Sequence, residues 1–390
     1  MDELERRVAE RLTKPFENVE PPASLGVRVI SRSATVRRRR AGLAAAAVAI
    51  VLIGVPVAVA QRPQPSDDRT LAATSTPSAG KSTAFALPGR TALADLIDTH
   101  SAVRVKQSLP GNQRFEAKAL GTDGTVLGTP QLGHDENDKR STGVWRAGPG
   151  DGTPTRVAPT NPDKRAYLWS MAVNDRGYLW PDGERLACLG PGGQGGVRTF
   201  PAGWGGRENF YANGPVFLWS DEGAALAVAD SCGGAPRTLS VPGALVAFSY
   251  PHAFVSSDGT LKQVDVRGGE TRKLNAAKPP QEALFAANGN VLVWAGDESI
   301  TVLERGSQQA RTVIQGLPHG DDPSYMGHLT VGERLAVYSA VPSEDDGTSA
   351  SVVYDLRTGR TTSLPGKAWT AGQWLLWQDG KGYQLAKVKL

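Results

Sequence analysis

The chain has 390 residues, of which 40% are hydrophobic and 21% charged, and this balance excludes wholesale disorder and a protein with many membrane spans. Its 45 glycines and 27 prolines favour a fold with many turns over a helical bundle. The formal net charge is +4, and the whole excess lies in residues 1–40. A nucleic-acid-binding protein carries its basic excess on the folded domain, so no nucleic acid is expected as a partner.

Residues 1–40 are predicted to form a short cytoplasmic head. Leu4, Val8 and Leu12 recur every four residues, which places a narrow apolar stripe on a charged helix. A proline pair separates this helix from a second short helical stretch. So small a segment cannot bury two stripes by itself. Two interpretations remain open: residues 1–36 dock onto a cytoplasmic protein, or they form a solvated tail that only sets topology.

Residues 41–60 contain no charged or strongly polar side chain and are predicted to form one transmembrane helix. A helix of this length spans about 30 Å, the thickness of the hydrocarbon core of a bilayer. Four consecutive arginines come directly before it: Arg37, Arg38, Arg39 and Arg40. By the positive-inside rule they keep the N-terminus in the cytoplasm and place all later residues outside. A single-pass protein of the cell membrane is therefore expected, with the lipid bilayer as a partner.

The alternative for this segment is a signal peptide cleaved after Ala60, where small residues alternate. The charged region before the apolar stretch would then be forty residues long, which favours an uncleaved anchor.

A charged helix, a proline pair and an Arg run next to an Ala-rich span occur together in the first sixty residues. In this combination they resemble the heads of single-pass actinobacterial membrane proteins related to anti-sigma factors. The resemblance implies a cytoplasmic protein partner for residues 1–36. The head lacks the zinc-binding His and Cys set that many anti-sigma heads carry.

Residues 83–390, beyond a Pro/Ser/Thr-rich linker at 61–82, contain a recurring segment of the form Gly-x-x-apolar-x-aromatic. Full copies end at Trp219, Trp294 and Trp377, and weaker copies end at Trp180 and Tyr338. Each copy is followed by an apolar strand, a Gly-rich turn and a strand that contains Thr. A repeat of about 40 residues with four short strands is typical of a β-propeller blade. The sequence therefore predicts an all-β, extracytoplasmic propeller of seven blades, with six as the alternative.

The last repeat lacks its outermost strand, and residues 83–89 resemble residues 361–366, which belong to that strand type. Residues 83–89 are therefore expected to complete the last blade and close the ring.

Residues 180–187 read Trp-Pro-Asp-Gly-Glu-Arg-Leu-Ala, and Gly-Glu-Arg-Leu-Ala recurs at 332–336. These segments resemble the WD-like propeller repeats of the Tol-Pal periplasmic type. The resemblance implies the fold, which hosts enzymes, adaptors and sensors alike.

The recurrent aromatic residues are interpreted as blade-core residues, because an aromatic at a fixed strand position packs between blades. Stacking on sugars or peptides is the alternative. Trp204 lies outside the repeat, in a loop, and is the candidate ligand contact for an envelope protein, a peptide or a glycan. Cys188 and Cys232, the two cysteines, lie in neighbouring repeats of an exported domain and form a candidate disulfide, which the spacing alone leaves open.

No metal, cofactor or catalytic motif is predicted. The five histidines are scattered, and the acidic loops at 319–322 and 344–347 lack the twelve-residue pattern of a calcium loop. The sequence favours a binding or sensory module that reports to the cytoplasm, with a tethered envelope scaffold as the alternative. An envelope hydrolase that uses two distant carboxylates is the least favoured interpretation.

Overall fold

The computed structural model describes residues 89–390 except 132–142, 160–169, 183–184, 194, 202–209, 222–224, 275–277, 281–282, 297, 318–326 and 341–349. The predicted cytoplasmic head, the predicted transmembrane segment, the residues Arg37, Arg38, Arg39 and Arg40 and the linker all lie outside the described residues. Within the part that is described, no helix has the length and apolar character needed to cross a membrane.

The described residues form seven antiparallel sheets, which we number as blades in chain order. Blade 1 contains β2 (Ser108–Leu109), β3 (Gln113–Leu120), β4 (Val126–Pro130), β5 (Gly143–Ala147) and β6 (Thr155–Pro159). Blade 2 contains β7 (Ala172–Asn174), β8 (Gly177–Asp182), β9 (Arg185–Leu189) and β10 (Arg198–Pro201). Blade 3 contains β11 (Phe210–Asn213), β12 (Val216–Asp221), β13 (Ala225–Ala229) and β14 (Arg237–Ser240). Blade 4 contains β15 (Ala244–Ser249), β16 (His252–Ser257), β17 (Thr260–Asp265) and β18 (Thr271–Lys273).

Blade 5 contains β19 (Leu284–Ala287), β20 (Val291–Gly296), β21 (Ser299–Glu304) and β22 (Gln309–Gln315). Blade 6 contains β23 (His328–Val331), β24 (Leu335–Ala340), β25 (Ala350–Asp355) and β26 (Thr361–Pro365). Blade 7 contains β27 (Ala368–Ala371), β28 (Trp374–Gln378), β29 (Tyr383–Lys387) and, from the other end of the domain, β1 (Val103–Val105).

The innermost strands of the blades contact one another in a closed circle, in the order β3, β7, β11, β15, β19, β23, β27 and back to β3. This arrangement confirms the all-β propeller and decides the number of blades as seven. The predicted alternative of six blades is wrong.

The ring closes through β1, which pairs antiparallel with β29 and supplies the outermost strand of blade 7. Val105 is fully buried in this strand and packs in the interface between blades 7 and 1. The expectation that residues 83–89 close the last blade is therefore corrected. Arg90 pairs instead with Thr361 of blade 6, in a parallel bridge, and residues 83–88 lie outside the described residues.

The described helices are short and lie around the strands. The α-helix α1 spans Leu93–Leu96, and 3-10 turns span Thr99–Ser101, Pro110–Asn112 and Pro191–Gly193. Leu96 and the adjacent Ile97 are buried in the interface of blades 6 and 7. The carbonyl of Leu96 accepts a hydrogen bond from the Lys389 N–H at 2.8 Å, which joins the two ends of the domain.

The hydrophobic core lies between the blades rather than in one central mass. Seven apolar clusters occur, and each takes its residues from two adjacent blades. Both faces of a middle strand are therefore buried, and such strands are continuously apolar instead of alternating. β20 shows this clearly, since Val291 to Ala295 are all buried.

The outermost strands of blades 1 to 5 are the edge strands of their sheets, and they carry no Asp or Glu. Each of the five contains an arginine: Arg156, Arg198, Arg237, Arg272 and Arg311. Positive charge on an edge strand opposes pairing with a second sheet, so these arginines protect the rim of the propeller from aggregation.

Candidate functional site

The recurrent aromatic residues all lie on the second strand of their blades. They pack in the apolar cluster shared with the preceding blade: Trp180, Trp219, Trp294, Tyr338 and Trp377. The four tryptophans are at most 8% exposed, so their rings are covered by protein and offer no stacking face to a sugar or peptide.

Two blades lack this aromatic residue, and this explains the gaps in the repeat. Val255 occupies the position in blade 4 and is buried against blade 3. Gly128 occupies it in blade 1, where a Cβ would lie 2.6 Å from the Phe115 ring. The Phe115 ring therefore fills from β3 the space that other blades fill from their second strand.

Cys188 and Cys232 form a disulfide that joins blades 2 and 3, with 5.4 Å between their Cα atoms. Cys188 lies on β9, and Cys232 follows β13. Both are buried in the cluster that these blades share. The two cysteines thus reinforce an interface of the ring.

The candidate ligand contact, Trp204, lies outside the described residues. Among the described residues, no group of three His, Cys, Asp or Glu side chains is arranged to hold a metal ion.

A cleft of about 1100 Å³ opens across blades 4, 5 and 6, on the face that carries the turns between first and second strands and between third and fourth strands. Ten of its fifteen lining residues have polar or charged side chains. The lining residues are Gln263, Arg272, Asn288, Gly289, Asn290, Val291, Glu304, Arg305, Gly306, Ser307, Glu333, Arg334, Leu356, Arg357 and Leu390.

Arg305, directly after β21, lies at the centre of this lining and is half-buried. Its Nη1 donates to the carbonyls of Asn288 at 3.2 Å and Gly289 at 2.7 Å. Its Nη2 lies 2.5 Å from His252 Nδ1 and 3.4 Å from Gln263 Oε1. All four partners are neutral acceptors, and among the described residues Arg305 has no carboxylate partner. Its positive charge is thus held in place without being neutralised.

The position that Arg305 occupies in blade 5 is apolar in blades 4 and 6. The Arg305 N–H donates to the carbonyl of Asn290 across the blade, and Val266 and Leu356 make the equivalent bond in blades 4 and 6. Val266 is fully buried. Blade 5 therefore places a guanidinium where its neighbours place an aliphatic side chain, and burial lowers the pKa of Arg305 although the group stays charged.

His252 is held neutral by this contact. A guanidinium only donates hydrogen bonds, so His252 Nδ1 must accept from Arg305 and the ring proton lies on Nε2. Burial, together with the nearby charges of Arg305 and Arg267, lowers the pKa of His252, and Asp265 opposes the shift.

Arg334 and Asp355 form the wall of the cleft on blade 6. Their side chains are only 10% and 1% exposed, and they lie 2.6 Å apart at Nη2 and Oδ2. Burial opposes ionisation of Asp355, but hydrogen bonds from Arg334 and Thr358 outweigh it and lower the pKa of Asp355 to about 2. Asp355 therefore neutralises Arg334, and this pair is a support of the cleft.

The remaining charged residues of the lining are exposed. Arg272 comes from the outermost strand of blade 4 and Arg357 from a turn of blade 6, and no ion pair joins either to another described residue. Glu304 lies 3.7 Å from Arg311, and Glu333 accepts a hydrogen bond from Gln373. The cleft therefore presents three guanidinium groups, one from each of three blades, that no described carboxylate neutralises.

The cleft residues were missed by the sequence analysis, although one signal was present. Asp-x-Arg occurs at 265–267 and at 355–357, in equivalent turns of blades 4 and 6. The equivalent position in blade 5 places Arg305 where an apolar residue is expected, and alignment of the three turns would have exposed the exception.

Comparison with solved structures shows likeness at low sequence identity. The chain is similar to human WBSCR16 (13% identity, 72% of this chain and 89% of that one, TM-score 0.48). It is also similar to a structure described as TolB from Agrobacterium tumefaciens (12% identity, 61% and 94%, TM-score 0.38). The computationally designed Ika8 protein matches at 15% identity over 75% and 98%, with a TM-score of 0.41. No protein-family model and no curated protein sequence matches the chain.

Proposed function

We propose that this chain is a membrane-anchored binding and sensory protein whose extracytoplasmic propeller holds a ligand in the cleft of blades 4 to 6. The observation that carries the binding role is the half-buried, unneutralised guanidinium of Arg305 in the wall of a large polar cleft. Uncompensated charge in a cleft is costly for folding and concentrates at functional sites.

The lining of the cleft suits binding rather than catalysis. Its guanidinium, amide and backbone groups form hydrogen bonds that orient a ligand. We therefore propose no reaction, and we expect the ligand to be an envelope protein, a peptide or a glycan.

The membrane anchor rests on the sequence. Residues 41–60 have the length and composition of a membrane span, and Arg37 to Arg40 direct the N-terminus to the cytoplasm. We propose that residues 1–36 relay occupancy of the propeller to a cytoplasmic protein, as the resemblance to anti-sigma-related heads implies.

Crosslinking in cells followed by co-purification tests this proposal, with the full chain compared with a chain that lacks residues 2–36. A cytoplasmic protein captured by the full chain alone, together with an envelope partner captured by both, is the expected result. Capture of the same partners by both chains would overturn the relay and leave a tethered envelope scaffold. Loss of both chains from the membrane fraction would contradict the anchor.

A further inference from the structure

We propose that the ligand of the blade 4 to 6 cleft carries oxyanions, carboxylate or phosphate groups, that bind Arg272 and Arg357 in the field of Arg305. The inference rests on the proposed function, because it names the chemistry of the ligand for the same cleft.

Arg305 differs from the equivalent residues of the adjacent blades in its effect on the stability of the fold. Val266 and Leu356 show that a propeller of this sequence fills the equivalent position with aliphatic side chains. A charge taken out of water without a counter-ion destabilises the folded chain, whereas an aliphatic side chain there stabilises it. Arg305 is therefore unfavourable for stability alone, and a negatively charged ligand would supply the missing counter-charge.

The guanidinium of Arg305 has a fixed orientation. Nη1 and Nη2 of Arg305 are both engaged by neutral acceptors, and its Cζ lies 5.3 Å from the centre of the Phe254 ring. Nε is buried and has no hydrogen-bond partner among the described residues. Arg305 cannot turn away into solvent without losing these contacts. It acts as a preorganised positive charge in the wall of the cleft.

Two other arginines of the cleft provide hydrogen-bond donors for a ligand. Arg272 and Arg357 are exposed and flank Arg305 from the adjacent blades. A guanidinium with free N–H groups binds carboxylate or phosphate oxygens in a bidentate manner. Arg334 cannot bind the ligand in this way, because its Nε and Nη2 already donate to the carboxylate of Asp355. The two exposed arginines therefore supply the hydrogen-bond donors for the oxyanions of the ligand, and Arg305 strengthens the attraction.

The test uses the full chain in detergent, with pyrophosphate and citrate as probes and sodium chloride at matched ionic strength as the reference. Calorimetry gives the dissociation constant, and a thermal melt gives the stabilisation. Binding of pyrophosphate alone indicates a phosphate ligand, and binding of citrate alone indicates a carboxylate ligand; either result supports the proposal. No binding of either probe beyond the chloride reference overturns it.

The double variant Arg272→Gln/Arg357→Gln is expected to weaken binding about tenfold or more, as the loss of charge-assisted hydrogen bonds predicts. Arg156→Gln is the matched control, since it removes an exposed arginine from an outermost strand distant from the cleft lining. Equal weakening in the control and the double variant would show non-specific attraction and would overturn the assignment.

Arg305→Leu provides a second readout that a purely structural arginine would not give. It introduces the residue type that Leu356 supplies in blade 6, so we expect a higher melting temperature without ligand and several-fold weaker anion binding. A lower melting temperature with unchanged binding would contradict the proposal.

Failure of this inference is separable from failure of the proposed function. If neither probe binds, but the envelope partner captured in cells is lost from the Arg272→Gln/Arg357→Gln chain, the cleft binds a ligand of another chemistry. If capture is unchanged in that chain, the cleft is not the binding site.

Discussion

The guanidinium of Arg334 donates two hydrogen bonds to the carboxylate of Asp355, from Nε to Oδ1 at 3.1 Å and from Nη2 to Oδ2 at 2.6 Å. Asp355 also accepts from the backbone N–H of Arg357 and from the Thr358 hydroxyl. One buried carboxylate thus joins the turn after β23 to the turn after β25. In blade 4 the equivalent Asp265 is bound within its own turn by Arg267.

This difference predicts unequal effects of two similar substitutions. Asp355→Ala leaves the Arg334 charge buried without a partner, so we expect the free energy of unfolding to fall by about 3 kcal/mol. Asp265→Ala is the matched control, because its partner Arg267 is 61% exposed and water replaces the lost contact. Urea titration of both variants measures the difference. Equal losses of unfolding free energy in the two variants would show that the Arg334–Asp355 pair stabilises the fold no more than the Arg267–Asp265 pair does.

Because His328 is held in its neutral form, we expect the free energy of unfolding to depend on pH. Burial lowers the pKa of His328 to about 4, while its Nε2 donates to the Ala368 carbonyl at 2.8 Å and its ring stacks on Trp369. The neutral form is favoured in the fold, so its contribution is complete above the unfolded pKa of about 6.5 and is lost as the pH falls through about 4.

We therefore expect the free energy of unfolding of the wild-type chain to fall between pH 6.5 and pH 4. His328→Asn should show a shallower fall, with a residual slope from His252, whose pKa is shifted in the same direction. His100 is exposed, so His100→Asn should follow the wild-type curve. A His328→Asn curve parallel to the wild-type curve would contradict the assignment.

The Cys188–Cys232 disulfide closes a loop between residues 44 positions apart and joins two blades. Its loss is expected to lower the free energy of unfolding by about 2–4 kcal/mol, because the unfolded chain gains freedom. A melt with and without reductant measures this effect, with the double variant Cys188→Ala/Cys232→Ala as the control. The wild-type chain should respond to reductant and the double variant should not. An unchanged melting temperature of the wild-type chain in reductant would mean that the disulfide does not stabilise the ring.

Asn174 joins blade 2 to blade 3 by donating from Nδ2 to the carbonyls of Gly214 at 3.1 Å and Val216 at 3.0 Å. Asn174→Ala removes the donor to the carbonyl of the buried Val216, and we expect the free energy of unfolding to fall by about 1–3 kcal/mol. Gln309→Ala, at an exposed position on an outermost strand, should change stability little. An equal loss of unfolding free energy in Gln309→Ala and Asn174→Ala would contradict a stabilising role for the hydrogen bonds of Asn174 between blades 2 and 3.

The fold was predictable because each blade repeats a local pattern. Trp219, Trp294 and Trp377 lie on equivalent strands and pack against the preceding blade. Because every interface between blades needs such a residue, the aromatic residues recur at regular intervals in the sequence. The pattern fails where packing is met in another way, as at Gly128, whose space the Phe115 ring occupies.

The closing strand and the cleft were not predictable from the repeat, because both depend on contacts between distant parts of the chain. Val103 and Val105 pair with residues about 280 positions away, and a three-residue strand leaves a weak signal. Arg305 and His252 are 53 residues apart and meet only because adjacent blades pack side by side. The Asn174 contact was not predictable for the same reason, since an asparagine at the end of an innermost strand gives no sign of its partner in the next blade.

Protease accessibility in intact spheroplasts tests the anchored, extracytoplasmic arrangement most directly, with one epitope tag at each end of the full chain. The account predicts that added protease removes the C-terminal tag while the N-terminal tag persists on a membrane-bound fragment. Protection of the C-terminal tag until the membrane is broken would place the propeller inside the cell and contradict the account.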